Sequence, residues 1–248
     1  MPSATFRFYA ELNDFLTPQR RQGAFTHHVE PRTTVKDAIE SLGVPHPEVD
    51  LILANETPVS FAYPVQDGDR IAVYPVMRAV DNPAPELLRP PLTDYHFVLD
   101  IHLGKLAVYL RMLGLDTLYR NDYADDQLAA IAGGENRILL TRDLGLLKYN
   151  AIVYGYFVRE TTPARQLREI VRRYNLRGSA TPFHRCLQCN TPLQPVPKAD
   201  IMDRLLPKTK LYYDDFRICP GCGQIYWQGS HYERMRHLVE RILSEPEA

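Results

Sequence analysis

No apolar run in the chain approaches the roughly 18 residues that a membrane-spanning helix needs. The opening residues, MPSAT, lack the basic-then-apolar grammar of a secretory signal. The expected address is therefore cytoplasmic, with no membrane partner. Only four cysteines occur among 248 residues, all beyond residue 180, and a reducing compartment disfavours pairing them as disulfides. The formal net charge is −1, far from the strongly basic balance of a dedicated nucleic-acid binder. That charge is unevenly spread, with −3 over residues 1–80 and +4 over residues 95–248. The C-terminal part thus permits a polyanionic partner without demanding one. No repeat or low-complexity tract is evident. What remains is an ordinary globular composition, 45% apolar and 24% charged, on a chain long enough for more than one domain.

The stretch DNPAPELLRPPLTDY contains four prolines and sustains neither a helix nor a central strand. It reads as a linker over residues 81–94 between folding units. Before it, over residues 1–80, ATFRFYAEL alternates like a strand and AFTHHVE suits its hairpin partner. Thr33-Thr34 caps a helix VKDAIESLG ending at Gly43, and LILANETPVS and RIAVYPV complete a ββαββ order. That order is a β-grasp, and it resembles the ubiquitin-like sulfur carriers. Carrier chemistry needs a free C-terminal Gly-Gly, whereas here the last strand runs into MRAVDNPAP. A carrier role is thereby disfavoured, and a role in binding a protein partner is left.

After the linker, strands alternate with helices through about residue 179: HFVLD, LGKLAVYLRMLG, DTLY, DDQLAAIAGG, RILLT, AIVYGYFV and PARQLREIVRRY. In the first helix Leu103, Leu106, Ala107, Leu110 and Leu113 share one stripe. Strands joined through helices predict a small open parallel α/β sheet. Residues 180–248 are loop-rich and end in a helix. Cys186 and Cys189, a spacer of 29 residues, then Cys219 and Cys222 form two C-x2-C knuckles, a four-thiolate set suited to one structural zinc ion. Gly221 and Gly223 free the second knuckle for a tight turn; His184 and His231 read as packing or surface residues. Tyr226, Trp227, His231 and Tyr232 interleave with arginines beside that knuckle. They either stack on single-stranded bases or fill a thin ribbon core. Arg172 and Arg173, in RQLREIVRRYNLR, form either a solvated helix face or a contact to a phosphate backbone.

Two of the buried-looking strands end in an aspartate, Asp100 after HFVL and Asp143 after RILLTR, while Asp122, Asp125 and Asp126 cluster in DYADDQ. Ligands of open parallel sheets bind beyond strand carboxyl ends. Carboxylates without thiol or imidazole suit Mg2+ or Mn2+, which activate water and neutralise phosphate charge. Aspartate is equally a favoured helix N-cap, as Asp125 before DQLAAIA illustrates.

The segment LDIHLGKLAVYLRMLGLDTLYRNDYADDQLAAIAGGENRILLTRDLGLLK, with RQLREI, RCLQCN and CPGCGQIYWQGSHYERM after it, closely resembles the Mut-seven C-terminal RNase family. That family joins a PIN-like nuclease domain to a zinc ribbon and in many members carries a ubiquitin-like β-grasp in front. The resemblance implies a metal-dependent ribonuclease with Asp100, Asp125 and Asp143 as metal-holding carboxylates. Lys105, Arg111 or Arg142 would then steady the phosphate of an RNA substrate. PIN nucleases often add an acid on the helix between the first two; here that helix has none and offers Lys105 and Arg111. Asp122 or Asp126 is the candidate substitute. The alternative is a non-catalytic RNA- or ribosome-binding adaptor of degenerate PIN-like fold. RNA identity, endo- or exonucleolytic mode and oligomeric state stay open at this level.

Overall fold

The computed structural model describes residues 2–75 and 88–245, so the first half of the proline-rich linker, residues 81–87, lies outside the described residues. The N-terminal elements are β1 (Ser3–Phe8), β2 (Phe25–His28), α1 (Val35–Ser41), β3 (Val49–Ala54), β4 (Thr57–Pro58) and β5 (Arg70–Pro75). They form one sheet in the order β2-β1-β5-β3-β4, with β1 and β5 parallel and the other pairs antiparallel, which is the mixed sheet of a ubiquitin-like β-grasp. Alternation in β1 turns Ala4, Phe6 and Phe8 inward, where they meet Ile39, Ile52 and Val73. Each such large apolar side chain contributes about 1.5–3 kcal/mol on burial.

Helix α1 starts where the sequence suggests. Thr34 Oγ1 accepts the Asp37 N–H at 3.2 Å and donates to Asp37 Oδ2 at 2.6 Å. The expected single strand LILANETPVS instead folds as the β3–β4 hairpin. Asn55 and Glu56 both take positive φ, 50° and 71°, the conformation that a two-residue hairpin turn of primed type requires.

Next come β6 (His96–Leu99), α2 (Gly104–Met112), β7 (Asp116–Leu118), α3 (Asp125–Gly134), β8 (Ile138–Thr141), α4 (Leu144–Leu147), β9 (Gly155–Phe157) and α5 (Pro163–Arg173). Strands β6 and β7 pair in parallel, as do β8 and β9. Phe97-Val98-Leu99 and Ile138-Leu139-Leu140 are wholly buried apolar runs, as strands covered on both faces must be. The α2 stripe read from the sequence is buried throughout. The chain closes with β10 (Gln194–Val196), α6 (Pro207–Tyr212), β11 (Phe216–Ile218), β12 (Ile225–Trp227) and α7 (Ser230–Ser244). The three strands β10-β11-β12 make an antiparallel sheet over Ile201, Leu205, Phe216 and Ile225.

By compactness the chain divides into two units, residues 1–94 with 129–157 and residues 95–128 with 158–248. The division cuts across the consecutive order suggested by the linker. Polar anchors explain why the first unit includes residues 129–157. Lys148 Nζ donates to the Glu40 carbonyl at 2.9 Å, and Glu48 Oε1 accepts the Phe157 N–H at 2.7 Å. His46 lies between Glu40 Oε1 at 2.7 Å and the Ile152 carbonyl at 2.9 Å. The end of the linker is fastened to the same unit. Arg89 pairs with the buried Asp50 carboxylate, donates to the Pro47 carbonyl at 2.8 Å and lies 5.6 Å over the Tyr154 ring. No helix among the described residues is long and apolar enough to cross a membrane.

Candidate functional site

Two knuckles of the same local geometry build a four-cysteine cluster able to hold a metal ion. In the first, the Cys186 N–H donates to the Thr191 carbonyl at 2.9 Å and the Asn190 N–H to the Cys186 carbonyl at 3.0 Å. In the second, the Cys219 N–H donates to the Gln224 carbonyl at 2.9 Å and the Gly223 N–H to the Cys219 carbonyl at 2.8 Å. Asn190 and Gly223, each one residue past a knuckle's second cysteine, take φ of 72° and 75°. That left-handed position favours glycine or asparagine, which is why these two residue types stand there.

The four Sγ atoms all lie within 4.8 Å of one another, with Cys186–Cys222 at 3.5 Å and Cys189–Cys219 at 3.3 Å. Zn–S bonds of about 2.3 Å in a tetrahedron imply edges of about 3.8 Å, which falls inside that spread. Four soft donors converging on one point fit zinc, and a full sulfur shell leaves no open position for catalysis. Crowding four thiols splits their acidities. Burial pushes the Cys189 thiol up, but hydrogen bonds at Thr191 and with Cys219 and Cys186 outweigh it and bring it down to about 6. At Cys222 a backbone hydrogen bond at Gln224 pulls down, while burial and the three neighbouring sulfurs prevail and push it up to about 12. Tyr226 supports the first knuckle, its hydroxyl accepting the Leu187 N–H at 3.0 Å and lying 3.2 Å from Cys186 Sγ.

The structure gives Arg111 a different place from the phosphate-steadying one suggested by its charge. It is only 3% exposed, and burial pulls its guanidinium below the ordinary value, with Cys186, Cys189 and Asp116 opposing. Nε donates to the Thr117 carbonyl at 2.9 Å, and Nη1 to the Leu187 and Gln188 carbonyls at 3.2 and 2.7 Å. Arg111 thus braces the first knuckle against β7. Asn190 adds a second brace, accepting the Thr117 N–H and donating to Asp116, each at 3.0 Å. Sequence reading missed Asn190, although an asparagine directly after a C-x2-C pair was a usable signal for a left-handed turn.

The acidic candidates fall into both units, Asp100, Asp122, Asp125 and Asp126 in one and Asp143, with its neighbour Arg142, in the other. Asp100 follows β6, is 5% exposed, and makes no side-chain cap bond to the 3-10 turn it precedes. The loop after it is pinned by Tyr119, whose hydroxyl donates to the Ile101 carbonyl at 3.0 Å. A side chain at Gly104 would sit 2.6 Å from that hydroxyl, so this helix start needs glycine. Asp143 is exposed and caps α4, its Oδ1 accepting the Gly145 and Leu146 N–H groups at 2.6 and 3.4 Å. Asp125 is exposed at the first residue of α3. The cap expected of it is supplied by Gln127, which reaches back to the Ala124 N–H at 3.1 Å. Asp126 accepts the Gln127 N–H at 2.9 Å. Asp122 is held by Arg120 through two bonds of 2.8 and 2.7 Å, which keep its carboxyl below the usual range. Lys105 is exposed and makes no ion pair among the described residues.

Of the candidate RNA contacts, Trp227 is 37% exposed at the edge of the ribbon sheet, and the exposed His231 lies 3.0 Å from Arg234. Arg172 is tied to Glu245 at 3.3 Å, and Arg173 turns its Nε and Nη2 away from solvent. The arginine stripe of α5 is therefore partly an internal brace.

No curated relative matches the chain. Two crystal structures of small archaeal modifier protein 1 from Haloferax volcanii are similar to part of it. One is 19% identical, covering 31% of this chain and 100% of that one at a TM-score of 0.26; the other is 20% identical, covering 32% and 99% at 0.25. The family model described as the Mut7-C ubiquitin domain matches residues 1–81, and that described as the Mut7-C RNAse domain matches residues 95–239. With more than half its length in the second match, and with four cysteines gathered as a ribbon needs, the chain belongs to the Mut7-C RNAse domain family, whose description supports a nuclease-like function.

Proposed function

We propose that the protein is a metal-dependent ribonuclease whose working carboxylates are Asp100, Asp125 and Asp143. The family match over residues 95–239 carries the reading, and Asp100, a buried carboxylate at the exit of a parallel strand, is its central residue. The donor set is all oxygen, which fits Mg2+ or Mn2+. When bound, such an ion neutralises charge on the scissile phosphate and acidifies water. Asp100, Asp125 and Asp143 hold and orient it, and Asp126 is the substitute for the missing helix acid, since Asp122 is already neutralised by Arg120. Lys105 steadies the phosphate, with Arg142 as the second candidate. The zinc ribbon assists by binding RNA, and the β-grasp domain offers a surface for a protein partner.

The adaptor reading has one observation in its favour. Helix α2 carries no acid, and its Arg111 is committed to the ribbon. A single assay separates the two. Purified protein with labelled single-stranded RNA is expected to produce fragments when Mn2+ is added and none without a divalent ion. RNA binding with no cleavage at any Mn2+ concentration would favour the adaptor.

A further inference from the structure

The open face of the ribbon contains a groove that the acidic residues do not use. Register places Pro195, Arg217 and Tyr226 on one face of the β10-β11-β12 sheet. Val196, Phe216 and Trp227 lie on the other, the first two over the ribbon core. A cavity of 820 Å3 is lined by Arg217 and Tyr226 of the first face and by Phe183, Tyr232 and Asp215, with Trp227 contributing from the edge strand β12. Phe183 and Tyr232 pack at 4.5 Å between centroids with their planes tilted by 47°, and Phe183 takes a φ of 62° there, a conformation that costs a non-glycine residue of order 1 kcal/mol or more. The same pair also lines a second depression, of 670 Å3, that follows α7 to Val239 and Leu243. One aromatic ridge with a hollow on either side suits an extended chain rather than a compact ligand.

We infer that this groove is a binding track for single-stranded RNA, with bases against Phe183 and Tyr232 and backbone phosphate at Arg217; the inference rests on the ribonuclease reading above. Charge supports that occupant. Arg217 is exposed and its side chain has no ion pair or hydrogen bond among the described residues, whereas Arg185, also lining the groove, is held by Asp116 at 3.3 Å and by the Gly114 and Asn190 carbonyls at 3.1 and 3.0 Å. Asp214 is held by Lys198 at 2.8 Å, leaving Asp215 as an acceptor. A purely anionic polymer is repelled by Asp215, while exocyclic amino groups of bases donate to it. A duplex keeps its bases stacked inside and offers no ring face to the aromatics.

The chain's one tryptophan, Trp227, lines the groove and reports on it directly. The test titrates the full-length zinc-loaded protein with a single-stranded adenylate decamer, without Mg2+ or Mn2+ so that the probe stays intact. Tryptophan fluorescence is expected to be quenched to saturation. Arg217→Ala and Tyr232→Ala are each expected to weaken the apparent affinity by about tenfold, as loss of one phosphate or stacking contact should. Tyr232→Phe should restore the affinity, and duplex RNA should not quench. Labelled decamer binding with unchanged fluorescence, or quenching that persists undiminished in both alanine variants, overturns the inference. So does quenching by a proline-rich peptide but not by RNA. Cleavage in Mn2+, measured separately, decides the ribonuclease reading whichever way the fluorescence falls.

Discussion

Replacing Cys186 by serine is expected to abolish zinc binding and disorder the ribbon while leaving the β-grasp domain folded. The magnitudes decide this. The ribbon core consists of Ile201, Leu205, Phe216 and Ile225 with a few half-buried neighbours, about 6–12 kcal/mol of gross apolar burial, against which the entropy of ordering the segment must be set. Structural zinc in comparable small modules is worth about 10–16 kcal/mol, so a zinc ion in the four-cysteine cluster would contribute more than the core to holding this segment. Serine keeps the volume and loses the thiolate. Because Arg111 and Asn190 tie the first knuckle to β7, the loss should propagate as increased proteolysis near residues 185–190. Zinc content by elemental analysis and limited proteolysis check both points. Chelation of the unmodified protein should give the same result and depend on pH. In the metal-free cluster Cys189 ionises at about 6 and Cys222 only at about 12. Protons therefore compete with zinc more strongly as pH falls, most steeply once Cys189 also takes its proton below about pH 6. Extraction should be faster at pH 5.5 than at pH 7.5; equal rates, or a Cys186→Ser protein that keeps its zinc, would contradict this account.

The second large effect concerns Asp143, which caps α4 and is also a proposed metal-holding acid. The two roles separate chemically. Asparagine retains an Oδ1 able to accept the Gly145 and Leu146 N–H groups but loses the charge, whereas alanine loses both. Asp143→Ala is expected to cost about 1 kcal/mol of stability and Asp143→Asn much less. Both should reduce RNA cleavage in Mn2+ by about a hundredfold or more, the scale of losing a group that stabilises transition-state charge. If Asp143→Asn cuts as well as the parent and only Asp143→Ala is impaired, the residue is a cap alone.

Local signals carried much of the fold into the sequence. The Thr34 cap, the α2 stripe and the two all-apolar strands are short-range patterns whose physical causes lie within a few residues, and all three appear as read. The paired C-x2-C motif is likewise local in each half, and its convergence follows from the demands of one tetrahedral ion. What stayed hidden was long-range polar chemistry. Nothing within ten residues of Arg111 indicates that its guanidinium meets carbonyls of residues 187 and 188. Arg89, within the proline-rich stretch, gives no local hint of Asp50. Asp122 looked like a spare acid because its neutralising partner, Arg120, sits two residues away, a spacing at which pairing depends on the loop's shape. The groove of the ribbon depends on the register of three short strands, and single-sequence periodicity does not reach register.

The acidic residues are decided most directly by counting bound manganese. With zinc already in place, titration with Mn2+ followed by electron paramagnetic resonance should show at least one Mn2+ held per chain in addition to the zinc. Asp100→Asn should weaken that binding by about tenfold or more while leaving zinc content unchanged. A parent protein that holds no Mn2+, or an Asp100→Asn protein that holds it equally well, would contradict the assignment of Asp100 to a metal site.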